Sequence, residues 1–149
     1  MKRQILIYMA IIWTLFIFGQ SLLPGEISSN QSGFVVDVLY PIITKLGINI
    51  EVDTVSFIIR KLAHFIEYFI LGLLLYPIYD KSHKKQFLVL MITHGFITAS
   101  IDETIQLFTP NRSGEIRDVM IDTLGVATAI LFCIIISNII QSRVKNPKF

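Results

Sequence analysis

The sequence predicts an all-α integral membrane protein: a four-helix transmembrane bundle, both termini cytoplasmic, with a short outer-side helix between the first two spans. Three observations carry that fold class. The 149-residue chain is 53% hydrophobic and only 16% charged, against about 25% charged in soluble domains. Its mean hydropathy of +0.65 implies more apolar surface than one core of this size buries. Its uncharged runs have the roughly 20-residue length of a bilayer-crossing helix. Together they exclude a disordered chain, a disulfide scaffold and a nucleic-acid-binding module, and the length fits one domain over 1–149.

The first span is placed at 4–23, since Gln4 to Gly25 carries no Asp, Glu, Lys, Arg or His. Lys2 and Arg3 ahead of Ile5 to Phe18 also fit a signal peptide, with Gly19-Gln20-Ser21 as a cleavage site. The apolar run continues through Leu22 and Leu23, so a retained span is expected. The longest connection, Pro24 to Ser56, opens with a Pro-Gly turn and a polar cluster, Ser28 to Gly33. Phe34 to Leu46 then shows helical apolar spacing, with a kink expected at Pro41. This short helix either lies along the outer leaflet or covers the bundle.

The second span, 60–79, is long enough to cross but contains His64 and Glu67. The third, 86–107, has only His94 between Gln86 and Ile101. A lone mid-membrane histidine reads as a packing or interhelical hydrogen-bonding residue. The fourth, 119–141, is uncharged from Thr123 to Ser142 and holds the single cysteine, Cys133, read as packing. No internal repeat or low-complexity segment is present. Orientation follows from the basic residues of the loops. With the N-terminus inside, Lys2, Arg3, Lys81, Lys84, Lys85, Arg143, Lys145 and Lys148 are cytoplasmic, eight of the thirteen basic residues, and the tight turn Lys81-Ser82-His83-Lys84-Lys85 strengthens the bias.

Ionisable residues inside spans are costly and call for a function. At 100° per residue, Arg60, His64 and Glu67 share a narrow face of the second span, flanked by Lys61 and Tyr68. Asp102 and Gln106 are four apart on the third, with Glu103 beside them. Asp118, Asp122 and Gly125 line a stripe of the fourth that Ala129 continues, small residues that admit a close neighbour. All three groups fall at the outward helix ends, which predicts a polar pocket facing the outer side, with Arg112 and Arg117 suited to a phosphate or carboxylate. Plainer roles compete: Arg60 and Lys61 as snorkelling anchors, Asp118 as a first-turn acid, His64 and Glu67 as a structural pair, or the whole network as helix glue.

His64, Glu67, Asp102, Glu103, Asp118 and Asp122 are metal-competent in principle. The chain has no HExxH, no paired-histidine spacing and no cysteine ligand, so no metal and no cofactor is expected. Nor is there a Gly-rich phosphate loop or a nucleophile elbow.

The stretch Asp102-Glu103-Thr104-Ile105-Gln106-Leu107-Phe108-Thr109-Pro110-Asn111-Arg112, then Arg117-Asp118 and Asp122-Thr123-Leu124-Gly125, resembles the DExxQxFxPxR, RD and DxxG signature of the VanZ-like family. Lys61-Leu62-Ala63-His64-Phe65-Ile66-Glu67-Tyr68 is similar to that family's KxxHFxEY element. Ser21-Leu22-Leu23-Pro24-Gly25-Glu26 with Ser28-Ser29 is similar to its segment after the first helix. The resemblance implies a small bacterial multi-pass protein of the cell membrane, associated with glycopeptide and teicoplanin resistance. The reading expected from it is a pocket that binds a lipid-linked wall precursor or an anionic lipid and lowers antibiotic susceptibility. Two alternatives stand beside it: an intramembrane enzyme acting on a lipid head group or lipid-linked sugar, with His64 and Asp118 or Asp122 as acid–base or metal residues, and a structural subunit of an envelope complex.

Overall fold

The computed structural model describes residues 2–79 and 84–145. Among these every regular element is a helix, five in all: α1 Lys2–Ser21, α2 Gly25–Lys45, α3 Val52–Leu75, α4 Lys84–Leu107 and α5 Ile116–Lys145. Three of them, α1, α4 and α5, are long and apolar enough to cross a membrane. At 24 residues α3 has the length, but Asp53, Arg60, Lys61 and Glu67 interrupt its apolar character. The basic stretch Lys81-Ser82-His83 and Lys148, which weigh in the expected orientation, lie outside the described residues.

Each boundary has a local cause. Pro24 cannot continue α1 and caps α2 instead. The helix between the first two spans is not short: α2 has 21 residues and includes the Ser28–Gly33 cluster expected to be loop. Tertiary contacts override the weak propensity of that cluster. The Gly25 N–H donates to the Pro110 carbonyl at 3.0 Å, and Arg112 Nη2 donates to Ser28 Oγ at 2.6 Å. Pro41 sits inside α2 without ending it, and the Thr44 hydroxyl bonds the Tyr40 and Pro41 carbonyls at 3.1 Å each. α2 closes with a reciprocal pair: Gly47 N–H to Thr44 O at 3.0 Å and Ile48 N–H to Ile43 O at 3.3 Å. That geometry requires Gly47 at φ 77°, open to glycine without strain.

α3 is the hub, packing against every other helix. Its seam with α5 is the tightest. A Cβ added at Gly125 meets the Phe65 carbonyl oxygen at 2.5 Å and the Phe69 nitrogen at 3.0 Å, and one at Gly72 meets Ala129 Cβ at 2.6 Å. Lys61 pairs with Asp118 at the start of the same seam. Position numbers rise together along it, so α3 and α5 run parallel while α4 returns between them. α1 runs opposite to α3, with Trp13 Nε1 donating to the Glu67 carbonyl at 2.9 Å. His94 meets a neighbour as expected, its Nδ1 lying 2.7 Å from the Tyr79 hydroxyl.

The burial pattern is inverted relative to a soluble domain. Asp102, Glu103, Gln106, Asp118 and Asp122 are buried, while Ile12, Leu15, Leu131 and Phe132 are exposed. Such outward apolar surface belongs against lipid. The seam yields a direct check. Gly125→Ala is expected to destabilise the detergent-solubilised protein by about 1–3 kcal/mol, read as a lower Tm. Gly33→Ala, whose Cβ meets nothing within 4 Å, leaves Tm unchanged or raised. Equal melting of the two variants contradicts the close seam.

Candidate functional site

Each site residue is placed by a helix end or a helix seam. The last turn of α1 contributes Ser21, the first turns of α2 Gly25 and Ser28, and the middle of α3 Arg60 through Tyr68. The C-terminal turns of α4 bring Asp102, Glu103 and Gln106, and the start of α5 brings Asp118 and Asp122. The connection 108–115 closes the ring, with Asn111 at φ 58°, a left-handed conformation that asparagine tolerates better than most residues. These segments enclose a cleft of about 300 Å³.

Arg60, Lys61, His64, Glu67, Gln106, Arg112 and Asp118 all line it, as do Gln20, Ser29 and Gln31. Arg60 is exposed and Arg112 half-buried. Burial lowers the Arg112 pKa from its ordinary value while nearby Asp102, Glu103 and Glu67 pull it back up, and a guanidinium stays charged throughout. Lys61 Nζ lies 2.6 and 2.7 Å from the two Asp118 oxygens and 3.3 Å from Glu115 Oε2. Lys61 is thus an inward-facing partner of α5 rather than a free interfacial anchor.

Behind His64 lies a more enclosed group. The Ser21 hydroxyl donates to Asp102 Oδ1, and Thr109 Oγ1 donates to the Ser21 carbonyl at 2.9 Å. Glu103 accepts from Gln106 Nε2 at 2.9 Å and from the Glu115 N–H at 2.8 Å. Asp122 is fully buried, and its Oδ1 lies 3.4 Å from His64 Nδ1. That is an ion-pair distance, but the pair makes no aligned hydrogen bond, and both Asp122 oxygens, Asp102 Oδ2, His64 Nδ1 and the Tyr68 hydroxyl have no hydrogen-bond partner. One donor atom each from His64, Asp102, Glu103 and Asp122 falls within 4.8 Å of the others.

The structure therefore gathers eleven of the twelve residues singled out in the sequence: Arg60, Lys61, His64, Glu67, Tyr68, Asp102, Glu103, Gln106, Arg112, Asp118 and Asp122. Arg117 stands apart, exposed on α5 and not lining the cleft. One residue before Asp118, it projects about 100° away from it. Ser21, Ser28 and Glu115 were missed as partners. The first two lie in the Ser21–Ser29 segment, whose pattern was visible but whose partners are more than eighty residues distant.

The Lys61–Asp118 pair is nearly buried, with side-chain exposures of 17% and 6%. Lys61→Met leaves a buried carboxylate unpaired and is expected to cost about 3–5 kcal/mol of stability. Combining it with Asp118→Leu restores most of that loss. Thermal melts of the single and double variants decide the point, and a double variant as unstable as the single one contradicts it.

A model of the family described as VanZ/LLP1 matches residues 6–137 of the chain. No curated protein and no solved structure is similar to it at a significant level.

Proposed function

The chain belongs to the VanZ/LLP1 family, and from that premise we propose that it is a multi-pass protein of the bacterial cell membrane whose cleft binds an anionic ligand, a lipid-linked wall precursor or anionic lipid, and so lowers susceptibility to glycopeptide antibiotics. One observation carries the reading: a half-buried Arg112 and an exposed Arg60 border the same cleft amid apolar helices. Arg112 commits Nη2 to Ser28, and a guanidinium has five donors in a fork suited to phosphate or carboxylate. Gln20, Ser29 and Gln31 add neutral donors and acceptors of the kind a sugar or phosphate head group needs. The cleft also takes in the first turn of α2, whose dipole favours negative charge.

The topology in this proposal has four spans, with α3 as the fourth crossing helix and both termini cytoplasmic. Supporting it, α3 runs parallel to α5 from the Lys61–Asp118 pair to the Gly72–Ala129 contact, and a helix that accompanies a spanning helix over that length shares its depth. Of its charged residues, Arg60, Lys61 and Glu67 line the cleft, where an intramembrane charge is tolerated, while Asp53 lies in its first turn. α2 and the cleft then lie on the outer side. In a Cys133→Ser background, Lys45→Cys is expected to react with a membrane-impermeant thiol reagent in intact cells, and Ser142→Cys only after permeabilisation. The reverse pattern overturns the orientation.

An enzyme acting on a lipid head group is the second reading, favoured by the buried His64 beside Asp122 at 3.4 Å. The first experiment compares teicoplanin susceptibility of a sensitive host expressing wild type, His64→Ala or Arg112→Ala at matched membrane levels. Wild type is expected to protect. Arg112→Ala loses charge-assisted bonds of about 1.5–3 kcal/mol, about 10–100-fold in ligand affinity, and with them most of the protection. Undiminished protection by Arg112→Ala overturns the ligand site, and no protection by wild type overturns the resistance role.

A further inference from the structure

The charges around the cleft do not balance. Three cationic side chains, Arg60, Lys61 and Arg112, meet six carboxylates, Glu67, Asp102, Glu103, Glu115, Asp118 and Asp122. Lys61 answers Asp118 and Glu115, and Arg60 and Arg112 stand at the cleft. Asp102, Glu103 and Asp122, all 5% exposed or less, have no basic side chain within ion-pair distance among the described residues apart from His64. Uncompensated burial of this kind is costly, and proteins resolve it by pairing or by coordination. An anionic ligand brought to the same cleft would make the imbalance worse.

We propose that His64, Asp102, Glu103 and Asp122 hold one divalent first-row cation, Mn2+ or Zn2+, at the inner end of the cleft. The four donors lie within 4.8 Å of one another. Two ligands of a tetrahedral ion with bonds of about 2.1 Å stand about 3.4 Å apart. That is the separation of His64 Nδ1 from Asp122 Oδ1, 3.4 Å, too misaligned for a hydrogen bond yet fitting for two ligands of one ion. The atoms a cation needs are also the ones without partners: His64 Nδ1, Asp102 Oδ2 and both Asp122 oxygens. The hydrogen bonds already present act as supports that fix ligand orientation. Ser21 holds the other Asp102 oxygen, while Gln106 and the Glu115 N–H hold Glu103 and leave each of its oxygens a lone pair. Three carboxylates with one imidazole favour a cation that accepts both donor types, which places Mg2+ and Ca2+ below Mn2+ and Zn2+.

The donors come from three helices, which is why no metal spacing shows along the chain and none was expected from it. His64 both belongs to this set and lines the cleft, so the cation would reach a bound phosphate or carboxylate from below while Arg112 meets it from the rim. That second role rests on the ligand reading above; the cation site does not.

The test strips purified full-length protein in detergent with a chelator, dialyses it, and titrates MnCl2 or ZnCl2 while metal content and Tm are read. One tightly held ion per chain and a raised Tm are expected. Asp122→Asn and Asp102→Asn weaken binding by about tenfold or more, whereas Asp37→Asn, an exposed acid on α2, binds as wild type. The electron paramagnetic resonance spectrum of Mn2+-loaded wild type needs no variant, and nitrogen coupling from one imidazole is expected in it. No retained ion, an unmoved Tm, absent nitrogen coupling, or Asp122→Asn binding as tightly as wild type overturns the site. Arg112→Ala separates the two readings: it keeps the cation and loses antibiotic protection. Retained cation with retained protection supports the metal site and overturns the ligand reading alone.

Discussion

The polar pairs between α3 and α5 depend on the backbone approach of the two helices at Gly125. With a hydrogen in place of a side chain there, the Phe65 carbonyl and Phe69 nitrogen come within what would be a Cβ contact. The helices are then close enough that His64 and Asp122 face each other one turn away, and Lys61 and Asp118 two turns away. Side chains of ordinary length bridge the gap only because the axes are drawn together. The small residues continue past the polar zone, where Gly72 sits against Ala129 and the ring edge of Phe132 meets Phe69 at 6.0 Å. One seam thus serves as the dry packing of the apolar half and the scaffold of the polar half.

Within an apolar surround, hydration is replaced by neighbouring side chains, and the remaining helices can be understood as its suppliers. α1 brings the Trp13 indole to the Glu67 carbonyl and the Ser21 hydroxyl to Asp102. α2 and the turn after α4 lock each other through Gly25, Ser28 and Arg112. A Cβ at Gly25 would overlap the Asn111 carbonyl oxygen at 1.9 Å, so the contact is a backbone-to-backbone closure of the cleft. The opposite end of the bundle has a simpler arrangement, a cleft of mostly apolar residues between α1 and α3 in which the His94–Tyr79 bond is a local polar contact.

How much of this was legible in the sequence varies with the distance over which the cause acts. Helix existence and the faces bearing His64, Glu67, Asp102, Gln106, Asp118 and Asp122 follow from periodicity within one element. The helical state of Ser28–Gly33 does not, because its support comes from Pro110 and Arg112. The orientation of Lys61 was ambiguous for the same reason: an anchor and an ion-pair partner look alike until Asp118 is brought beside it. Arg117 shows the opposite error, since adjacency to Asp118 in a motif says nothing of direction when each residue turns the helix by about 100°. Convergence of four donors from three helices leaves no mark on any one of them.

The Lys61–Asp118 pair spans 57 positions, and that interval has a temporal meaning. A ribosome delivers α3 well before it delivers α5, so Lys61 and His64 are made before their partners Asp118 and Asp122 exist. An unpaired charge inside a span costs a few kcal/mol. In the four-span topology proposed above, Asp118 and Asp122 are available to α3 only once the start of α5 has been made. In that topology the charges of α3 are matched only when synthesis reaches the first turns of the last helix.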